Sequence, residues 1–148
     1  VSHARRDIVR LPLAALVALA VPSVHAAEDN PLAAERWKTR PVVVVVPTRG
    51  DALVRRVEAA LAQTATREAF IDREMVLYTV EAGVGRRNGE ALEPHRTRAL
   101  LSALKLEAGG PPAFVLVGKD GGVKMTEGAD VDLQAVFAEI DRMPMRRR

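Results

Sequence analysis

Val42-Val43-Val44-Val45-Val46 sets five β-branched side chains in a row with no polar residue between them. Side chains alternate across a strand, so a run that is apolar at every position must be covered on both faces. The run therefore predicts the inner strand of a largely parallel sheet with helices above and below. Pro47-Thr48-Arg49-Gly50 reads as the turn that follows it. Asp51 opens a helix in which Leu53, Val54, Val57, Ala60 and Leu61 recur at helical spacing, while Arg55, Arg56 and Glu58 face out.

Further along, Thr66 is expected to cap a second short helix with Ala69 and Phe70 inward, and Met75 to Val80 forms a second buried strand. Gly83 to Gly89 reads as a loop. Pro94 to Leu106 is helical, with Leu100, Leu101 and Leu104 as its apolar stripe. Gly109-Gly110-Pro111-Pro112 stops that helix before a third strand, Ala113 to Val117. Lys119-Asp120-Gly121-Gly122 has the chemistry of a hairpin turn and returns the chain as a fourth strand, Val123 to Thr126. Asp130 or Asp132 caps a last helix with Val131, Val136, Phe137 and Ile140 inward, ending near Pro144. The order describes an α/β domain with a central four-stranded mixed sheet, strand order 2-1-3-4, flanked by helices.

The first part of the chain has a different character. Arg5, Arg6 and Arg10 precede an uncharged apolar run from Leu11 to Val21, and Val24-His25-Ala26 offers modest side chains before a cut ahead of Ala27. This is the three-part pattern of a secretory signal peptide, and the run is shorter than the ~20 residues of a spanning helix. The expected division is a signal over residues 1–26, a lead-in over 27–40 and a domain over 41–145. The alternative for the first segment is an uncleaved anchor. The expected location is exported, periplasmic or extracellular, with no membrane span once the signal is removed.

Composition removes several kinds of chemistry. The chain has no Cys, so thiol nucleophiles, thiolate metal sites and C-x-x-C redox chemistry are excluded. The formal charge of +3 comes from the arginines near the two ends, Arg146-Arg147-Arg148 among them. The stretch between is slightly acidic, and only one Trp, one Tyr and three Phe are present, so no nucleic-acid partner is expected. Ser102, inside a helical stripe, reads as a packing residue and His95 as an exposed histidine at a helix start. Too few imidazoles remain for a zinc site. Glu127, Asp130 and Asp132 lack the spacing of a calcium loop. No cofactor and no metal are expected.

Pro112-Ala113-Phe114-Val115-Leu116-Val117-Gly118-Lys119-Asp120-Gly121 resembles the segment of thioredoxin-like proteins in which a cis-proline precedes a buried strand and a charged turn. Trp37 through the valine strand, together with the final hairpin and helix, resembles a bacterial family known as domain of unknown function 4174. The resemblance covers about residues 30–145. It implies a thioredoxin-like fold with a cis-proline at Pro112. Thr48-Arg49-Gly50-Asp51 stands where thioredoxins carry their cysteine pair, so the resemblance does not extend to thiol chemistry.

The expected function is a non-catalytic binding or accessory module of the periplasm or cell envelope, its partner an exported protein or peptide, or a small anion. Candidate binding residues are Thr48, Arg49, Gly50, Asp51, Arg86, Arg87 and Pro112 at one sheet edge, where open α/β sheets hold ligands. There Arg49, Arg86 and Arg87 would present guanidinium forks to a carboxylate or phosphate. Gly83-Val84-Gly85-Arg86-Arg87-Asn88-Gly89 approaches a dinucleotide loop, but its last glycine falls one position late. A non-redox enzyme using Arg49, Asp51 and the Gly83–Gly89 loop, with Glu93 or His95 as acid–base groups, is the rival expectation.

Overall fold

The valine run lies where its composition requires, in the centre of the sheet with a strand on each side and a core on each face. The computed structural model describes residues 29–146. In chain order these form a 3-10 turn (Pro31–Glu35), β1 (Arg40–Val46), α1 (Ala52–Ala62), α2 (Thr64–Asp72), β2 (Met75–Glu81), β3 (Val84–Arg87), β4 (Glu90–Ala91), α3 (Pro94–Leu104), β5 (Ala113–Val117), β6 (Val123–Glu127), α4 (Leu133–Asp141) and a closing 3-10 turn (Pro144–Arg146). The signal segment expected over residues 1–26, with Arg147 and Arg148, lies outside the described residues. No described helix is long and apolar enough to cross a membrane.

The sheet is mixed and has six strands in the order β4-β3-β2-β1-β5-β6. β1 runs parallel to β2, with Val42 opposite Leu77 and Val46 opposite Glu81. It runs antiparallel to β5, with Val45 opposite Ala113, and β6 completes a hairpin with β5. The four expected strands thus keep their expected order. The expectation of four is corrected by a second hairpin at the β2 edge. Gly83–Gly89 is not a loop: Glu81 pairs with Val84, and Arg87 with Glu90. Each reversal uses two residues of positive φ, Ala82 (48°) with Gly83 (81°) and Asn88 (48°) with Gly89 (83°). Such turns match the twist of the strands they join.

Alternate valines feed opposite cores. Val42, Val44 and Val46 meet Leu53, Val54 and Val57 of α1, Phe70 of α2, and Val136, Phe137 and Ile140 of α4. Val43 and Val45 meet Leu100 of α3 and Leu32 of the first turn, beside Tyr78 and Val80. Full burial of each valine contributes about 1.5–3 kcal/mol, which fixes both face and register.

Caps set the helix starts. The Asp51 carboxylate accepts from the Leu53 N–H at 2.9 Å, and Asp132, not Asp130, accepts from the Gln134 N–H at 2.9 Å. Thr66 does not cap α2, which already begins at Thr64. α3 stops at Leu104 because Lys105 turns left-handed, with φ of 55°. Ser102 is exposed rather than packed. Pro112 does not follow a cis bond, and no cis peptide bond occurs among the described residues. The Gly109–Gly110 turn, closed by Gly110 N–H to the Glu107 carbonyl at 3.1 Å, reverses the chain ahead of the two prolines. Arg146 donates to the Asp72 carbonyl at 2.9 Å and pairs with the Asp72 carboxylate, fastening the closing 3-10 turn to α2.

Candidate functional site

The edge at which β1 ends carries most of the expected site. Thr48, Arg49 and Gly50 are exposed there, Asp51 is half-buried, and Pro112 sits beside them because Ala113 pairs with Val45. The chain's own carboxylates already use two of its backbone donors. Gly50 N–H donates to Glu81 Oε2 at 3.1 Å, and Asp51 caps Leu53. The two remaining arginines do not share one face of the sheet. Arg86 and Arg87 are neighbours on β3, so their side chains leave on opposite faces of the sheet. Arg87 pairs with Tyr78, three positions back from the Glu81 end of β2, or about 10 Å along the strand. The His95 side of the rival site lies elsewhere too. His95 Nε2 stands 3.3 Å from Glu93 Oε2, at the start of α3. That helix packs on the core opposite the one covered by α1 and Asp51.

Arg87 belongs instead to a buried polar cluster. Glu35 accepts from Thr39 Oγ1 at 2.6 Å, from the Tyr78 hydroxyl at 2.8 Å and from Arg87 Nε at 2.7 Å. Burial alone would raise the Glu35 carboxyl pKa. The hydrogen bonds from Arg87, Thr39 and Tyr78, with the Arg87 charge, outweigh it and hold that pKa below the ordinary glutamate value. Tyr78 moves the other way, up to about 12, through burial and then its bond to the Glu35 carboxylate. A carboxylate with three donors and a phenol held protonated make a clasp between the first turn and the sheet. Neither is poised to move a proton near neutrality.

Gly85, the middle glycine of the Gly-Val-Gly-Arg-Arg-Asn-Gly stretch, is buried under α3. A Cβ there would lie 2.9 Å from Thr97 Cγ2 and closer still to Thr97 Oγ1. The glycine serves close approach of helix to hairpin, not a phosphate.

The opposite edge, where β1 begins, holds the open site. A cleft of about 490 Å³ lies between Gly118–Lys124 of the β5–β6 turn and the end of α4, lined by Trp37, Arg40, Lys119, Arg142, Met143 and Met145 among others. Trp37 is 64% exposed although it is a large apolar side chain, and its φ is +65°. Its backbone N–H donates to the Lys119 carbonyl at 2.7 Å, tying the main chain at Trp37 to the β5–β6 turn beside the cleft. Left-handed backbone costs a non-glycine residue roughly 1–2 kcal/mol. Arg40 is fully buried within the cleft wall, donating from Nη1 to the Arg73 carbonyl at 2.9 Å. None of these residues is among the binding residues expected from the sequence. The signals available were the chain's lone tryptophan and an arginine at the head of the valine run.

No curated protein and no solved structure matches the chain. The family described as domain of unknown function (DUF4174) matches residues 31–148, which takes in the clasp, both sheet edges and the Trp37 cleft, and the chain belongs to that family.

Proposed function

We propose that this chain is an exported, thioredoxin-like domain without thiol chemistry, serving as a binding or accessory module of the periplasm or cell envelope, with the Trp37 cleft as its binding surface. Export rests on the pattern of residues 1–26. The thioredoxin-like reading is supported by the order β2-β1-β5-β6, with β1 and β2 parallel and the last pair a hairpin. Cysteine is absent at every position, Thr48 to Asp51 included. The observation that carries the binding role is the exposed Trp37, fixed in left-handed backbone over a cleft large enough for a small ligand. Exposed large aromatics in concave sites provide contact area at low entropic cost.

Amide shifts of nitrogen-labelled protein, mixed in turn with small aliphatic and aromatic fragments, test this reading. Shifts should gather at Trp37, Lys119 and Met145. Shifts confined to Gly50, Asp51 and Gly85, or none at all, would overturn it.

A further inference from the structure

The cations of the cleft are not equivalent. Lys119 is in direct contact with Glu74, Lys124 Nζ lies 2.8 Å from Asp120, and Arg142 is in direct contact with Glu139. Arg40 has no such partner. Its side chain is 1% exposed, and Glu74 Oε2 lies 3.6 Å from Nη1, shared with Lys119. Arg40 Nε is buried and has no hydrogen-bond partner among the described residues. Burial pushes the pKa of this guanidinium down, and Glu74 offsets only part of the effect. Apolar side chains of similar volume often replace buried ion pairs with no loss of stability, so packing alone is a weak reason for a buried cation.

Charge and shape define what would complete the site. Arg40, Lys119, Lys124 and Arg142 stand against Glu74, Asp120 and Glu139, while the nearby Asp72 and Asp141 are taken by Arg73 and Arg146, leaving a single positive charge uncompensated. A monoanion balances that set, whereas a dianion would meet three carboxylates on the rim. The Arg40 charge, buried in the cleft wall and only weakly screened there, draws a carboxylate to that end of the cleft. Trp37, Met143, Pro144 and Met145 offer apolar wall to the rest of the ligand, with methionine's soft thioether adapting to its shape.

We propose that the cleft binds a small monocarboxylate with an apolar body, its carboxylate drawn to the Arg40–Lys119 end and its body between Trp37 and the Met143–Met145 segment. This assignment rests on the cleft being the binding surface. Trp37 is the single tryptophan, so its fluorescence reports on the site directly. Octanoate should shift and saturate that emission, while 1-octanol and octylamine should bind weaker by about tenfold or more. Arg40→Met should weaken octanoate by a similar factor while leaving the thermal midpoint little changed. Should that variant fail to fold, two exposed or rim changes replace it. Lys119→Met frees Glu74 to pair with Arg40, and Met145→Glu adds a repelling charge; each should weaken octanoate. Octanol binding as tightly as octanoate would overturn the assignment, as would octanoate affinity unmoved by these variants. A cleft that shows fragment-induced amide shifts yet no response to octanoate removes the carboxylate ligand but keeps the binding surface. Absence of both removes both.

Discussion

The Tyr78 hydroxyl donates to Glu35 Oε1 at 2.8 Å, joining the middle of β2 to a turn that precedes the first strand. Thr39 and Arg87 complete the carboxylate's coordination from two further segments, so one buried charge ties four pieces of chain together.

Tyr78 is the only tyrosine, and phenolate absorbance will therefore follow it alone. In the folded protein it should titrate at about 12, against an ordinary value of 10.0. A phenol raised on folding contributes stability in full below pH 10, and that contribution disappears as pH climbs through the folded value. Ultraviolet difference absorbance, with a urea-unfolded control, checks this; folded protein titrating at the control's value would contradict it. Tyr78→Phe should cost about 1.5–3 kcal/mol, the range for a hydrogen bond to a charged group.

On the acid side the sign reverses. The Glu35 carboxyl is depressed on folding below 4.5, so its contribution is present above that value and lost as pH falls through the lower folded pKa. Melting temperatures followed downward from about pH 6 to pH 3 should fall in the native protein and fall less in Glu35→Gln. The variant should itself be less stable at neutral pH by about 2 kcal/mol. Equal acid slopes for the two proteins would show that the clasp does not couple to folding.

Gly85→Ala tests the contact between α3 and the second hairpin. The added methyl meets the Thr97 side chain, whose Cγ2 would lie 2.9 Å away. Overpacking of this kind costs about 1–3 kcal/mol, read by urea denaturation. Thr97→Ala introduced alongside should recover part of the loss, since the two positions share one contact. A fully additive double variant would place the strain elsewhere.

Ala82 is exposed and occupies left-handed backbone at φ of 48° in the β2–β3 turn. Ala82→Gly relieves that conformation, offset in part by a more flexible unfolded chain, for a net gain of about 0.5–1 kcal/mol. A rise of a few degrees in melting temperature is expected, on the order of 2–8 °C for a domain of this size. An unchanged or lower midpoint would argue that the turn is not in this conformation.

How much of this was legible depends on how local each cause is. The valine run announced its own burial because alternation is absent within the run itself, and Asp51 and Asp132 cap helices through contacts two residues away. The second hairpin was also local. Asn88-Gly89 is a strong two-residue turn signal, but it stood inside a glycine-rich, arginine-bearing stretch that invited comparison with ligand loops. Arg86 and Arg87 are neighbours in sequence, yet as adjacent strand residues they face apart. The Trp37 cleft could not be read ahead. Residues 37, 40, 118–124 and 142–145 meet only after the sheet order sets them at one edge. Likewise, the charge imbalance around Arg40 exists only once Lys119 has taken Glu74.

With a strand on each side and a core on each face, β1 has no route to solvent short of the whole domain coming apart. Its backbone protons should therefore be the last to exchange with heavy water, and their rate at neutral pH should return the free energy of global opening. The two-residue β4 and the exposed β6 at the sheet's margins would surrender theirs far sooner. The molecule thus grades its own breathing from rim to axis, with the valines as the axis.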